Sequence, residues 1–195
     1  MIQEILLKLG VLIKKNLKAT VQTNWYVITG GPSSGKTTVV QSLQDLGYKT
    51  SIEAARHYID LQRMNGKSTE EVRDNQRSFQ HKVLNLQIKI EKRLDPTQLV
   101  FLDRALPDEL AYYKHFDIEP DRKLIDSLNN FIYKKVFIME LLPLAKDYAR
   151  VEDKSAQISI QKLIIQVYKA RSEPVIMVPV MSVEERTRFI LDNLN

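Results

Sequence analysis

A short segment between residues 25 and 38 constrains the fold of this chain more than any other. An apolar run at residues 25–28 stops before Gly30, and residues 30–37 fit the pattern G-x-x-x-x-G-K-[ST] without a mismatch. Residues typical of a helix follow, up to Leu46. This order of strand, glycine-rich loop and helix is the context that a phosphate-binding loop requires. A mere surface turn would leave the apolar run and the amphipathic segment unexplained.

The residue types in this loop suit a nucleoside triphosphate with Mg²⁺. Glycines let backbone N–H groups approach phosphate oxygens, and the start of a helix favours anions. Lys36 is predicted to place its charge near the β and γ phosphates, and Thr37 to offer its hydroxyl to Mg²⁺. We therefore predict that ATP or GTP binds along the whole loop, which consists of Gly30, Gly31, Pro32, Ser33, Ser34, Gly35, Lys36, Thr37 and Thr38.

The composition fits one globular domain. The chain has 195 residues, of which 44% are hydrophobic, and this allows one sizeable core. The net charge is +5, but the lysines are scattered, which argues against a nucleic-acid partner. The absence of cysteine excludes disulfides, thiolate metal sites and a cysteine nucleophile. No apolar run approaches the roughly 18 residues of a transmembrane segment, and the N-terminus lacks a secretory pattern, so we expect a cytoplasmic protein.

Residues 2–18 have the pattern of an amphipathic helix. Isoleucines and leucines recur at three- and four-residue spacings, and the lysines lie largely off that face. We therefore divide the chain into an N-terminal helical extension, residues 1–22, and a phosphate-loop domain, residues 23–195. The helix is expected to pack on this domain or on a partner subunit, such as a second copy of the chain. A helix on a membrane surface is the alternative.

Five predicted strands alternate with helices along the chain. Besides residues 25–28, strands are expected at residues 49–53, 98–103, 135–140 and 174–178, with helices between them and one long helix from about residue 68 to 94. This pattern predicts an α/β fold with a parallel sheet between two layers of helices. Ligands of such sheets bind at the carboxyl ends of the strands, so the chemistry is expected there.

Asp103 and Arg104 follow the apolar run of the third predicted strand. An acidic residue at this point is typical of the Walker B pattern, in which it helps to hold Mg²⁺ directly or through water. A cap on the following helix is the alternative role of Asp103. Arg104 suits bidentate contact with a phosphate or carboxylate, or else an ion pair within the protein.

Three more charged residues occupy loops at this edge of the predicted sheet. Glu53 follows the second strand and is predicted to orient an acceptor hydroxyl, although it could instead interact with a helix dipole. Arg56 lies on the same helical face and could hold an acceptor anion. Arg150 lies in a polar stretch after the fourth strand and is predicted to act from a mobile lid, with a solvated loop as the alternative. Tyr112 and Tyr113 suit either an acceptor pocket or the core.

Four segments together resemble a small phosphate-loop family labelled AAA-type, which is related to the nicotinamide riboside kinase domain of bacterial NAD regulators. They read G-G-P-S-S-G-K-T-T, E-A-A-R, V-F-L-D-R-A-L-P-D-E-L-A-Y-Y and V-P-V-x-S-V-E-E-R-x-x-F-I-L, and the resemblance covers about residues 25–192. The E-A-A-R and L-D-R-x-L-P-D combination is its more specific part. The N-terminal helix lies outside the match.

The resemblance implies a nucleoside- and nucleotide-kinase-like fold with strand order 2-3-1-4-5. It further implies ATP or GTP with Mg²⁺ on residues 30–38, Asp103 as the Walker B acid, and an acceptor side formed by Glu53, Arg56 and Arg104. The chain is too short for the helical lid domain of ring-forming AAA+ motors.

Two functions fit these expectations. The first is an Mg²⁺-dependent kinase that transfers a phosphoryl group to a small, nucleoside-like hydroxyl compound, with Lys36, Glu53, Asp103 and Arg150 as its catalytic residues. The second is a nucleotide-binding switch or slow ATPase or GTPase that regulates a partner. An Asn-Lys-x-Asp run, which would read guanine in a GTPase, does not occur in the sequence.

Overall fold

The structure is a computed structural model that describes residues 20–144 and 153–194. Within these ranges the strands β1–β7 are Val21–Gln22, Trp25–Thr29, Lys49–Thr50, Val100–Asp103, Phe131–Ile132, Lys135–Met139 and Val175–Val178. The helices α1–α8 are Lys36–Asp45, Ala54–Met64, Thr69–Arg73, Gln76–Arg93, Leu106–His115, Arg122–Ser127, Lys154–Lys169 and Val183–Asp192.

The central strand β2 organises a parallel sheet of order β3-β4-β2-β6-β7. Counted along the chain within this sheet, the order is 2-3-1-4-5, as predicted. Trp25 and Val27 of β2 pack into the core on one side of the sheet, and Tyr26 and Ile28 pack into the core on the other. Successive side chains of a strand point to opposite faces, so β2 is buried on both. The predicted α/β fold of three layers is confirmed.

Different helices cover the two faces of the sheet. Val39 and Leu43 of α1 and Ile190 of α8 share one core with Tyr26 and Ile28. The other core holds Leu110 of α5, together with residues of α4 and α7. Helix α1 begins directly after the loop that follows β2, so its N-terminus lies at the carboxyl edge of the sheet.

The prediction of one long helix from about residue 68 to 94 is wrong, because the structure divides this segment into the two helices α3 and α4. Helix α3 begins after Ser68, which forms an N-cap and a capping box with Glu71. The chain then leaves the helical conformation at Asn75, whose side chain accepts a hydrogen bond of 2.9 Å from the N–H of Ser78. An asparagine that caps a helix adopts extended backbone angles, so a new helix, α4, starts at Gln76.

Other elements differ from the prediction in length. Strands β3 and β4 are shorter than the predicted strands at residues 49–53 and 98–103. The parallel pair of two-residue strands β1 and β5 was not predicted, since such short strands carry no periodic signal.

Two parts of the prediction lie outside the described residues. These are the predicted amphipathic helix at residues 2–18 and the predicted lid residue Arg150. The domain division at residue 22 and the cytoplasmic location also stay predictions. None of the helices in residues 20–144 and 153–194 combines the length and apolar character that crossing a bilayer demands.

Candidate active site

The carboxyl ends of β2, β4 and β3 bring the predicted functional residues together. Ile28 of β2 is in register with Asp103 of β4, and β3 lies on the far side of β4. The phosphate loop therefore lies next to Asp103 and Arg104, and the loop after β3 adds Glu53. This convergence follows from the parallel sheet, since all its strands end at one edge.

The backbone of the phosphate loop requires glycine at two points. Gly30 has φ of 141°, and a Cβ atom there would lie 2.7 Å from the carbonyl oxygen of Met139. Gly35 has φ of 81°, and a Cβ there would approach Arg186 Nη1 to 3.2 Å. A side chain at Gly30 would meet both a rarely adopted backbone conformation and a fixed backbone atom. The pattern G-x-x-x-x-G is thus explained by the geometry of the loop.

Five consecutive carbonyl groups of this loop accept hydrogen bonds from outside it or from Lys36. The donors come from different elements: Arg104 to Gly30 at 3.0 Å, Lys36 to Gly31 at 2.9 Å, Gln157 to Pro32 at 3.0 Å, the Leu142 N–H to Ser33 at 3.1 Å, and Arg186 to Ser34 at 2.7 Å. These contacts fix the carbonyl groups of the loop, so that its backbone can present N–H groups to an anion.

The N-terminus of α1 completes the anion-binding arrangement. Its N-cap is Gly35, and no side-chain hydrogen bond caps the helix among the residues described. The first N–H groups of a helix have no partner within the helix, and the helix dipole adds partial positive charge there. Both features suit a phosphate group at this point.

Lys36 is buried directly beside this loop. Its Nζ donates to the Gly31 carbonyl and, at 3.2 Å, to Ser34 Oγ. Burial, followed by the positive charge of Arg104, lowers the pKa of Lys36 to about 7. Phosphate oxygens near Nζ would favour its charged form, so this lysine is poised to gain a favourable interaction when an anion binds.

Thr37 and Asp103 form a pair that suits Mg²⁺. Thr37 Oγ1 lies 3.3 Å from Asp103 Oδ2, while the buried Asp103 Oδ1 has no hydrogen-bond partner in the described part of the chain. Burial, and then the charge of Glu53, raise the pKa of Asp103 to about 7. A divalent cation would satisfy the orphaned oxygen and favour the ionised form, and oxygen ligands of this kind are those that Mg²⁺ prefers.

Glu53 lies across the site from the lysine, in an ion-pair network. Glu53 Oε1 accepts from Arg104 Nε at 3.1 Å, and Glu53 Oε2 lies 3.7 Å from Arg56 Nε. Burial alone would raise the pKa of Glu53, but Arg104 and Lys36 lower it below its ordinary value. The side chain is thus an ionised hydrogen-bond acceptor rather than a strong base.

Arg104 is held in an uncommon conformation. Its φ is 67°, in the left-handed region that residues other than glycine rarely adopt. Besides Glu53 and the Gly30 carbonyl, Arg104 Nη1 contacts Asp108 Oδ1 at 2.9 Å, and its guanidinium lies 5.2 Å from the centre of the Tyr112 ring. This set of contacts offsets a backbone strain of about 1–3 kcal/mol.

Asp108 is a buried member of the site that the sequence reasoning did not single out. Thr29 Oγ1 and Tyr168 Oη donate to its carboxylate, the latter at 2.6 Å, as does the Ala105 N–H at 3.2 Å. The residue ends the L-D-R-x-L-P-D segment quoted for the resemblance, which is the signal that could have identified it. Through Arg104, it links β2 and α7 to the acceptor side.

We expect Asp108→Ala to destabilise the protein by about 2–3 kcal/mol, because it removes one of the two carboxylates that pair with the buried Arg104 and leaves the buried Tyr168 hydroxyl without its acceptor. Urea unfolding followed by circular dichroism measures this loss. Asp126→Ala, at an exposed surface pair with Arg122, is the control and should change stability by less than about 0.5 kcal/mol. Equal effects of the two substitutions would contradict the structural role of Asp108.

A pocket opens between the phosphate loop and helices α2, α4 and α5. Pro32 and Lys36 line it at the loop, and Glu53, Arg56 and Arg104 lie on its charged side. Toward the helices, the lining residues include Phe79, Gln80, Gln87, Glu109 and Tyr112. Of the two neighbouring tyrosines, only Tyr112 lines this pocket, whereas Tyr113 belongs to the core.

Glu109 makes stability depend on pH. Burial, and then the charge of Asp108, raise the pKa of Glu109 to about 8 from an ordinary value of 4.5. The folded state holds this proton more tightly, so the resulting stability is fully present below about pH 4.5 and is lost as the pH rises through about 8. Glu109→Gln should therefore flatten the decline of unfolding free energy between pH 6 and 8, by up to about 1.4 kcal/mol per pH unit.

Urea unfolding at several pH values tests this expectation. The exposed Glu119 provides the matched control, and Glu119→Gln should leave the wild-type slope unchanged. Parallel slopes for wild type and Glu109→Gln would show that Glu109 does not titrate in this range.

Three residues that support the phosphate loop were also missed by the sequence reasoning. Gln157 and Gln161 lie one turn apart on α7, where Gln161 accepts from the Gly31 N–H and donates to the Met139 carbonyl at 3.1 Å. Arg186 of α8 is buried against the Ser34 carbonyl. Polar residues on an otherwise apolar helical face were the available signal, but a sequence pattern does not say which loop they contact.

Several solved structures share this fold at low sequence identity. Deoxyadenosine kinase from M. mycoides, with dCMP and dCDP bound, has a TM-score of 0.63 and 16% identity over 88% of this chain and 98% of its own. Thymidylate kinase from Ehrlichia chaffeensis has a TM-score of 0.61 and 14% identity, covering 89% and 99%. These similarities show the P-loop kinase fold.

NadR is a further structural neighbour. The structure of NadR in complex with NR has a TM-score of 0.62 and 14% identity, and the match covers 87% of this chain. The chain spans about half the length of NadR, since the match covers 49% of that protein. The sequence has no match among curated proteins. A family model described as an AAA domain, however, matches residues 25–186, which include the phosphate loop, Asp103 and Arg186. The chain therefore belongs to this AAA domain family.

Proposed function

We propose that this protein is a phosphotransferase that moves the γ-phosphoryl group of ATP or GTP to a hydroxyl group of a nucleoside-like acceptor. The pocket beside the phosphate loop is the observation that carries the proposal. It begins at Lys36 and Glu53 and extends away from the loop between three helices, where an acceptor could lie in line with the triphosphate. A protein that only binds and hydrolyses a nucleotide has no need of such a second compartment.

The proposed donor site consists of residues 30–38 with Asp103. The N–H groups of the loop and the N-terminus of α1 would bind the β and γ phosphates, and Lys36 Nζ would exchange its contact with the Gly31 carbonyl for phosphate oxygens. Thr37 and Asp103 would hold Mg²⁺, which supplies charge neutralisation of the phosphates.

On the acceptor side, Glu53 would accept a hydrogen bond from the reacting hydroxyl and so direct its oxygen at the γ-phosphorus. The new bond joins this oxygen to phosphorus as the bond to the bridging oxygen of the nucleoside diphosphate breaks, and the hydroxyl proton passes to Glu53 and then to solvent. Because the pKa of Glu53 is lowered, its main contribution would be orientation. Arg104 would fix Glu53 through the 3.1 Å contact.

The solved neighbours support this choice of reaction class by analogy. They include kinases of a nucleoside and of a nucleotide, one with dCMP and dCDP bound, and the NadR protein with NR. The similarity extends over 98% and 99% of these two kinases, which supports the proposed reaction class by analogy of fold. Arg150 stays a predicted lid residue.

Thermal unfolding with added ligands tests the proposal. A ligand that binds only the folded state raises the melting temperature by mass action, by an amount that corresponds to about 2.7 kcal/mol at a hundredfold excess over Kd. We expect a rise with Mg²⁺ and ATP or GTP, and a further rise with a nucleoside. A rise with nucleotide that no nucleoside in a broad panel increases would favour the nucleotide-binding switch.

A further inference from the structure

A fully buried carboxyl group lies behind the acceptor side of the site. It belongs to Glu91, near the end of α4, whose side chain has no exposed surface. Its Oε1 atom accepts hydrogen bonds of 2.8 Å from both Gln87 Nε2 and the Leu106 N–H, and its Oε2 atom accepts one of 2.9 Å from Tyr133 Oη. A carboxyl group is costly to bury, and these three contacts offset that cost.

The contact with Leu106 supplies a cap that helix α5 lacks. Leu106 is the first residue of α5, and the preceding N-cap, Ala105, has no side-chain oxygen that could accept from the first N–H groups of the helix. Pro107 has no N–H group, and the Asp108 N–H bonds to the Ala105 carbonyl at 2.9 Å. Glu91 therefore provides, from another helix, the acceptor that the start of α5 needs.

This cap helps to fix the turn that carries Arg104. Arg104 comes two residues before Leu106, and its φ of 67° makes the turn between β4 and α5 strained. The Arg104 N–H bonds to the Ile28 carbonyl at 3.1 Å, and Gln87 Nε2, which Glu91 orients, lies 3.5 Å from the Arg104 carbonyl oxygen. A strained conformation persists only where the surrounding contacts hold it, and Glu91 makes or orients contacts on the helical side of this turn.

We propose that Glu91 is a positioning residue for phosphoryl transfer: it holds the start of α5 and the turn at Arg104, so that Arg104 keeps Glu53 directed at the reacting hydroxyl. The last link is the 3.1 Å contact between Arg104 Nε and Glu53 Oε1. Glu91 is not among the residues that line the pocket, so it acts through these side chains and not on the acceptor itself. This inference rests on the proposed function, since it gives Glu91 a role in the transfer step.

Steady-state kinetics of two Glu91 variants test the inference. Leucine is close to glutamate in volume but has no acceptor, so Glu91→Leu should lower kcat about tenfold, because displacing a group that orients the acceptor slows the reaction. The Kd of AMP-PNP, measured by calorimetry, should stay within about threefold of the wild type. Glu91→Gln should keep kcat within about twofold, since its amide oxygen can accept from Leu106 and Gln87 and its amide N–H can donate to Tyr133 Oη.

Tyr133→Phe separates this role from a general loss of stability. It removes one buried hydrogen bond to the same carboxyl group but leaves the contacts with Leu106 and Gln87 in place. The melting temperature should fall by about 2–4 °C, yet kcat at a temperature where the protein is folded should stay within about twofold of the wild type. A tenfold loss of kcat in Tyr133→Phe as well would mean that kcat follows stability, and this would overturn the inference.

A double-mutant cycle tests whether the effect passes through Glu53. In the Glu53→Gln background, adding Glu91→Leu should lower kcat by less than about twofold, because the carboxylate that Glu91 positions has already been removed. A further tenfold loss would show that Glu91 acts on another part of the protein and would contradict the proposed role.

Glu91→Asp keeps the test decisive if Glu91→Leu does not fold. It retains the carboxylate but is shorter by one methylene group, so it cannot reach all three donors, and kcat should fall at least about threefold. Folded Glu91→Leu or Glu91→Asp protein with the wild-type kcat would overturn the inference and leave the phosphotransferase intact. A wild-type protein that binds AMP-PNP but phosphorylates no nucleoside in a broad panel would overturn both.

Discussion

Replacing Lys36 with methionine should lower the rate of phosphoryl transfer by about a thousandfold, because the reaction depends on charge placed beside the phosphates as their bonding changes. Removing one such preorganised donor typically costs 10²- to 10³-fold in rate, about 3–4 kcal/mol. The effect should fall mainly on kcat. Methionine is close to lysine in length and tolerates burial, so the substitution should leave the fold intact.

Steady-state kinetics with a fixed nucleoside acceptor would measure this effect, with thermal unfolding as the check on folding. Lys162, an exposed lysine on α7, provides the control, and Lys162→Met should retain wild-type kcat within about twofold. A kcat for Lys36→Met within tenfold of the wild type would remove Lys36 from the mechanism.

Replacing Glu53 with glutamine should abolish most transfer but preserve nucleotide binding. The amide has nearly the size of the carboxylate, yet it cannot take up the hydroxyl proton and is a weaker acceptor. A positioned group in this role contributes about 10²- to 10⁴-fold. The lowered pKa of Glu53 makes it a weak base, which favours the lower part of this range. The kcat should therefore fall by about a hundredfold.

The Glu53 variant distinguishes a role on the acceptor from a role in nucleotide binding. Calorimetric titration of AMP-PNP should give a Kd within about threefold of the wild type, and Glu70→Gln, on the exposed face of α3, should leave both Kd and kcat unchanged. Transfer at the wild-type rate in Glu53→Gln would show that another group orients the acceptor.

Sequence alone could predict the main elements of the fold because their signals are local. The strand, glycine-rich loop and helix at residues 25–46 are predicted by residue types within that one segment. Alternating strands and helices then imply a parallel sheet, and the strand order came from the family resemblance. The break at Asn75 was missed because the sequence does not distinguish an asparagine that caps a new helix from one on the exposed face of a continuous helix.

The candidate site was predictable to the extent that its residues follow strands. Asp103 ends β4, Glu53 lies just after β3, and Lys36 closes the phosphate loop that follows β2, so the parallel sheet brings them together at one edge. Asp108 and Arg186 lie inside helices, and their contacts depend on side-chain directions in the packed structure. The same reason kept Glu91 out of the sequence analysis, because which donors a buried carboxyl group meets is a property of the packing.

The most direct test of the account is the identity of the product. The protein is incubated with Mg²⁺, ATP labelled at the γ-phosphorus and single nucleosides, and the labelled species are separated by chromatography. The account predicts that label appears in a nucleoside monophosphate in equal amount to the ADP formed, and that Lys36→Met and Glu53→Gln suppress it. Label that appears only as inorganic phosphate, at a rate that no nucleoside changes, would contradict a phosphotransferase and indicate a nucleotide hydrolase.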